Sequence, residues 1–212
     1  MNIAVLVSGG GTNLQALLDA EKEGRLGGGK IVLVASSRPG VYALERAAGA
    51  GVPGEVLPSR KSGADVDAAL LELLERYRID LVVLAGFLSI LGEKVTKAYS
   101  NRIINVHPAL IPSFCGKGYY GLHVHEAALA YGVKVTGATV HLVNEVVDGG
   151  AIILQKAVDI LPDDTPESLQ KRVMEEAEWK LLPEAVALFC AGRLRVEGRQ
   201  VRISGEPGCP GK

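Results

Sequence analysis

Across the first 107 residues, short β-branched runs alternate with stretches of helical apolar spacing. A chain with that alternation lays strands side by side in parallel and returns between them through helices. Strands are expected at about 2–7, 31–35, 55–57, 80–85 and 102–106, and helices at about 12–23, 41–50, 64–77 and 93–99. The fold class is therefore α/β, a doubly wound, mainly parallel sheet. After residue 133 the pattern changes to two long extended runs, 134–143 and 151–160, separated by a turn that holds Gly149-Gly150. Such a pair suits antiparallel strands added to the sheet. Asp163-Asp164-Thr165-Pro166-Glu167 supplies a cap, a first-turn proline and a first-turn acid, so a long helix is expected from near Pro166 to Cys190, kinked at Pro183. The segment 193–203 alternates around Glu197-Gly198 like a small hairpin, and the Gly/Pro-rich end is expected to be disordered. We divide the 212 residues into one domain over 1–191 and a C-terminal hairpin and tail over 192–212, long enough to bury a core without staples.

Charge narrows the function classes. Lysine and arginine total 23 against 24 acidic residues, which leaves no electrostatic footprint for nucleic acid or an anionic membrane, so any anion site must be local. Apolar runs such as 81–84 are strand-sized, far below a membrane span. Met1-Asn2-Ile3-Ala4-Val5 enters a strand pattern at once, without the basic flank of a signal peptide, and a cytoplasmic location is expected. Cys115, Cys190 and Cys209 are odd in number and lack C-x-x-C spacing, which indicates neither a disulfide framework nor a zinc site.

Two clusters carry chemistry. Ser8-Gly9-Gly10-Gly11-Thr12-Asn13 ends the first strand and opens the first helix, where free amides and the helix dipole favour an anion. A dinucleotide fingerprint needs a third glycine where Leu14 stands and an acid where Ser36-Ser37-Arg38 stands, and a Walker loop needs Gly-Lys-Ser/Thr; neither pattern is met. A small monophosphate on Gly11, Thr12 and Asn13 fits better, although glycines here also suit close helix–strand packing alone. In the second cluster, Asn105-Val106-His107-Pro108, the period of a strand puts Asn105 and His107 on one face, and Pro108 ends the ladder. An amide and an imidazole there can donate to the oxygen of a tetrahedral adduct; equally, they can be satisfied polar groups that tie down the next loop. Asp148 matters if folding brings it beside His107, where its charge would raise the imidazole pKa and burial would lower it. Asp148-Gly149-Gly150 suits a plain turn just as well.

Four stretches, in order, resemble the phosphoribosylglycinamide formyltransferase family: Ser8-Gly9-Gly10-Gly11-Thr12-Asn13-Leu14-Gln15, Leu84-Ala85-Gly86-Phe87-Leu88-Ser89-Ile90-Leu91, Asn105-Val106-His107-Pro108-Ala109-Leu110-Ile111-Pro112 and Asp148-Gly149-Gly150. The resemblance covers about residues 1–190. It implies a Rossmann-like formyltransferase fold and formyl transfer from the co-substrate 10-formyltetrahydrofolate to the amine of glycinamide ribonucleotide, without a metal. It also implies small-molecule partners only and a monomer or homodimer. Carried over by motif, Asn105, His107 and Asp148 would be catalytic, Gly11, Thr12 and Asn13 would hold the phosphate, and Glu178 would contact the ribose. Leu88, Ser89, Ile90 and Leu91, with Asn105, would hold the folate, and Thr139 and His141 would support the site. In the mechanism this implies, Asp148 orients and charges His107.

The resemblance has departures. Gly63 stands where many relatives carry a folate-binding arginine, for which Arg60 or Lys61 could substitute. Ser89 replaces a basic residue of some members. The loop 112–122 is longer than in some relatives and, with its glycines beside the site, is expected to act as a mobile lid. His123 and His125 form an H-x-H pair, but no second pair or thiolate joins them at ligand spacing, and His141 is read as site-lining rather than metal-binding. Cys115 as a nucleophile is not needed for direct transfer. Methionyl-tRNA formyltransferase shares the core but carries a basic C-terminal domain, and a formyltetrahydrofolate hydrolase carries an extra N-terminal domain; neither extension is expected here. A noncatalytic nucleotide-binding module would explain the glycine loop and leave Asn105, His107 and Asp148 unexplained.

Overall fold

The computed structural model describes residues 1–59 and 63–205. Five parallel strands, β1 (Asn2–Val7), β2 (Lys30–Ser36), β3 (Gly54–Val56), β4 (Leu81–Leu84) and β5 (Ile103–His107), form most of one sheet. β6 (Val135–Leu142) and β7 (Ile152–Asp159) continue it antiparallel, in the order β3-β2-β1-β4-β5-β6-β7. The expected doubly wound sheet and its antiparallel extension are both present.

Strand periodicity builds two cores. β1 sends Ile3, Val5 and Val7 to one face and Ala4 and Leu6 to the other, all fully buried. The first face is covered by α1 (Thr12–Lys22), α2 (Tyr42–Gly49), α6 (Pro166–Val173) and α7 (Trp179–Cys190), through side chains such as Leu17, Ala47, Leu169 and Leu182. The second is covered by α3 (Val66–Arg76) and α4 (Glu93–Ala98), through Leu70, Leu74 and Val95. In α3 the spacing Leu70, Leu73, Leu74 makes an apolar stripe, and Asp65 caps the helix by accepting from the Ala68 amide. Because β2 and β3 lie to one side of β1 and β4 and β5 to the other, the winding reverses between β1 and β4. A crevice opens at their carboxyl ends, the usual ligand position in such sheets.

Thr165 and Ser168 close a capping box ahead of Pro166, as the cap sequence requires. The long helix expected from there to Cys190 is not uniform. Over Met174–Glu178 it opens into a π turn in which the Trp179 amide reaches back to the Met174 carbonyl, five residues away. Pro183, where a kink was expected, lies inside α7, and the π turn falls upstream of it. A π turn holds an extra residue per turn and is frequent at functional sites; this one borders the crevice with Met174 and Glu178. α5 (Leu122–Tyr131) precedes β6, and β8 (Leu194–Glu197) with β9 (Gln200–Ile203) forms a separate two-stranded hairpin turned at Gly198, φ +62°. The tail 206–212, expected to be disordered, lies outside the described residues. Among the described residues no helix is long and apolar enough to cross a membrane.

Candidate active site

The glycine loop opens α1 without a side-chain cap. Gly11 is the N-cap of α1, no side chain caps the helix, and its first turn holds no acid, so the leading amides have no partner of their own. The loop's carbonyls face away: the Ala43 amide donates to the Gly9 oxygen (3.2 Å) and Arg46 Nε to the Gly10 oxygen (2.8 Å). Gly11 has φ +73°, and a Cβ there would lie 2.7 Å from Ala43 Cβ, whereas one at Gly10 would meet nothing within 4 Å. Packing explains Gly11 alone. Accordingly Gly11→Ala should lower the melting temperature, by the equivalent of roughly 1–3 kcal/mol, and Gly10→Ala should leave it unchanged in a thermal-unfolding comparison. Ser8, buried, ties this loop to its neighbours: its hydroxyl meets Ser37 Oγ (2.7 Å) and accepts from the Leu88 amide (2.9 Å).

At the end of β5, Asn105 and His107 share a face as period two demands, and the antiparallel register sets His141 opposite Asn105 and Thr139 opposite His107. His141 Nδ1–H donates to the Leu142 carbonyl (2.8 Å), which leaves Nε2 to accept from Asn105 Nδ2 (3.1 Å). Asp148 reaches the same group from the β6–β7 turn: Oδ2 is 3.6 Å from His107 Nδ1 and Oδ1 is 3.5 Å from His141 Nε2. Its approach needs an unusual backbone, with φ +54° at Asp148 and Gly150 passing so close to β6 that a Cβ would collide with the Leu142 carbonyl. Thr139 does not line the cavity. It accepts from the Ile111 amide (3.0 Å) and Gln155 Nε2 (2.9 Å) and donates to the Ala109 carbonyl (2.7 Å), pinning the chain just after His107.

His107 Nε2 is 2.8 Å from the Phe114 carbonyl, so this nitrogen carries a proton and donates. Burial pushes the imidazole below its ordinary 6.5, against Asp148 and the Phe114 carbonyl, which pull it up. Burial prevails, and the neutral form dominates at pH 7. Burial alone would raise the Asp148 carboxyl, but the neighbouring His141 and His107 and the Gly116 amide (2.8 Å) together hold it below 3.8. The loop 112–122 therefore touches both groups, with its Phe114 carbonyl on His107 and its Gly116 amide on Asp148. Phe114 itself has φ +47°, and its ring packs edge-on against Tyr119 and Tyr131.

Between these elements lies a cavity of about 490 Å³, in the size range of small-molecule sites. Gly11, Thr12, Asn13, Leu88, Ser89, Ile90, Leu91, Asn105, His107, His141, Asp148 and Glu178 all line it. Gln170, Met174, Lys117 and His125 line it as well. Sequence reading passed over Gln170, Met174 and Lys117 and weighed His125 only as a metal ligand. Gln170 lies one turn before the π turn, and that proximity could have flagged it only if the turn itself were legible. Cys115 Sγ donates to the Pro112 carbonyl (3.3 Å), and burial pushes the thiol up, the reverse of an activated nucleophile. His123 pairs at the surface with Glu126 (2.9 Å). Among the described residues no cluster of three histidine, cysteine or acidic side chains is placed to hold a metal. Arg60 and Lys61 lie outside the described residues.

Glu178 is turned inward by the π turn and accepts from Asn13 Nδ2 (2.7 Å). Burial pushes its carboxyl up to about 7, only partly offset by that hydrogen bond. Since the folded value lies above the unfolded 4.5, the protonated carboxyl favours the fold below pH 4.5, and that advantage is lost as pH rises through about 7. Glu178→Gln should flatten this pH dependence and raise stability at pH 8 by on the order of 3 kcal/mol. Denaturant titrations of both proteins at pH 5 and pH 8 measure it; an equal pH dependence would refute the buried acid.

Residues 1–186 match the formyl transferase family. Glycinamide ribonucleotide transformylase 1 from Symbiobacterium toebii superposes with a TM-score of 0.87 at 47% identity, covering 96% of this chain and 93% of that one. Phosphoribosylglycinamide formyltransferase from Haemophilus influenzae is 38% identical over 96% of this chain and 94% of its own length. The trifunctional purine biosynthetic protein adenosine-3 of Drosophila melanogaster is 44% identical over 90% of this chain, which spans 14% of that protein's length. With the fold, the family match and near-complete coverage of relatives at this identity in agreement, the chain belongs to the formyl transferase family.

Proposed function

We propose that the protein transfers the formyl group of 10-formyltetrahydrofolate to the amine of 5'-phosphoribosylglycinamide, a step of purine synthesis. The observation that carries this reading is the convergence of Asn105, His107 and Asp148 in one cavity with the uncapped start of α1. Gly11, Thr12 and Asn13 hold the phosphate through helix-terminal amides, and Glu178 meets the ribose. The apolar side chains Leu88, Ile90 and Leu91 line the folate pocket, while the backbone at Ser89 and the Asn105 amide offer polar contacts. His141 and Thr139 support from behind.

The substrate amine, uncharged, attacks the formyl carbon, and the charge developing on the formyl oxygen is met by the His107 Nε2–H and a second Asn105 N–H. The Phe114 carbonyl now occupies the His107 donor; the formyl oxygen takes its place when the loop 112–122 lifts, which makes the loop a lid. Neutral His107 already presents the required proton at Nε2; its Nδ1 then carries a lone pair, so Asp148, 3.6 Å away, acts on it through charge and not through a hydrogen bond. The amine proton leaves through water to the folate N10.

Purified protein with 10-formyltetrahydrofolate, with and without the ribonucleotide, tests this through tetrahydrofolate release. Release that depends on the ribonucleotide supports the transferase. Release without it means a hydrolase, and none means a binding module. Both ligands together should also change the rate of proteolysis within the lid.

A further inference from the structure

Arg46, in α2, does not line the cavity, yet it is bonded to the glycine loop that opens onto it. Its Nε–H donates to the Gly10 carbonyl (2.8 Å) and a terminal nitrogen donates to Gln15 Oε1 (2.9 Å), while the guanidinium carbon lies 4.8 Å from the centre of the Tyr42 ring. Gln15 is fixed in turn, because its Nε2 donates to Asp19 Oδ1 (2.9 Å). The guanidinium is thus anchored behind the loop, on the side away from the cavity.

A trans peptide is planar, with its carbonyl and its N–H pointing in opposite directions. Holding the Gly10 oxygen outward therefore turns the Gly11 N–H the other way, towards the cavity that Gly10, Gly11 and Thr12 line. Packing does not fix that peptide at Gly10, which is exposed and whose Cβ, were it present, would meet nothing within 4 Å. Glycine turns freely about its backbone bonds, so a peptide between two glycines needs a bond to keep its direction. The peptide before it has one in the backbone, from the Ala43 amide to the Gly9 carbonyl (3.2 Å). For the Gly10 carbonyl, Arg46 is the partner among the described residues.

We infer that Arg46 is a positioning residue for the substrate phosphate: by gripping the Gly10 carbonyl it keeps the Gly11 amide turned towards the anion. This rests on the reading of the loop as the ribonucleotide phosphate site. An amide already aimed donates to a charged oxygen without first having to be ordered. Released, the same peptide turns over part of the time and presents its carbonyl to the phosphate, which repels it.

Steady-state kinetics of the parent, Arg46→Met and Arg46→Gln test this, with glycinamide ribonucleotide and with its dephosphorylated ribonucleoside as acceptors. Methionine keeps an aliphatic stem and loses the donor, whereas glutamine places a neutral N–H where arginine carries Nε. Arg46→Met should raise KM for the ribonucleotide about tenfold, the usual worth of one hydrogen bond to a charged group, with kcat and KM for 10-formyltetrahydrofolate within about twofold. Its kcat/KM for the ribonucleoside should match that of the parent, since no phosphate meets the amide there. Arg46→Gln should bring KM most of the way back. A parental KM in the methionine variant, an equal loss of kcat/KM on both acceptors, or a glutamine variant no better than methionine overturns the inference. Should the methionine variant not fold, Arg46→Leu takes its place against the same glutamine variant. The parent is measured first: release that ignores the ribonucleotide refutes formyl transfer, and equal use of the two acceptors refutes the phosphate reading, each distinct from a failure at Arg46.

Discussion

His107→Ala should lower kcat by about a hundredfold to a thousandfold, the usual cost of losing a positioned donor to a developing oxyanion, with KM for the ribonucleotide little changed. The phosphate end of the cavity is built from the glycine loop and α1, which do not depend on His107 for their shape. The side chain lies at the end of β5 rather than within either apolar core. Its removal frees the Phe114 carbonyl and leaves the two cores intact, so the fold should persist. Turnover close to that of the parent, in a variant with parental circular dichroism, would remove His107 from the chemistry and with it the proposed mechanism.

Asp148→Asn should cost a similar factor by a different route. Asparagine keeps the shape and can still accept from the Gly116 amide, so the turn and the lid contact should survive. What disappears is the negative charge facing His107 and His141. Because Asp148 pulls the His107 pKa up, its loss should lower that pKa further. His107 keeps its Nε2–H in either charge state and donates more strongly as the imidazolium that Asp148 favours, so kcat/KM should carry a limb at the His107 pKa, and that limb should move to lower pH in the variant. A pH–rate profile of both proteins separates the roles. An unchanged limb with reduced kcat would assign Asp148 to another step, and unchanged kcat would remove it from catalysis.

Period two in Ile103-Ile104-Asn105-Val106-His107 was enough to put the amide and the imidazole on one face, and the glycine turn before Thr12 was enough to mark the uncapped start of a helix. Both are local: they depend on side-chain alternation and helix termini, which neighbouring residues fix by themselves. Asp148 carried no such mark, since a turn of Asp-Gly-Gly is ordinary in composition. Its place beside His107 depends on the left-handed backbone at Asp148 and on Gly150 passing against Leu142.

His141 became a partner of Asn105 only through the antiparallel β5–β6 register, and Glu178 turned inward only through a π turn that helical periodicity does not announce. The charge state of His107 was likewise beyond the sequence, because it weighs desolvation by the whole fold against one carboxylate 3.6 Å away. The sequence by itself determined the α/β class, the strand faces and the glycine loop, because these follow from residues a few positions apart. The tertiary structure alone decided register, burial and the meeting of Asn105, His107, Asp148 and Glu178, because those are set by groups far apart in the chain and by the water that packing excludes.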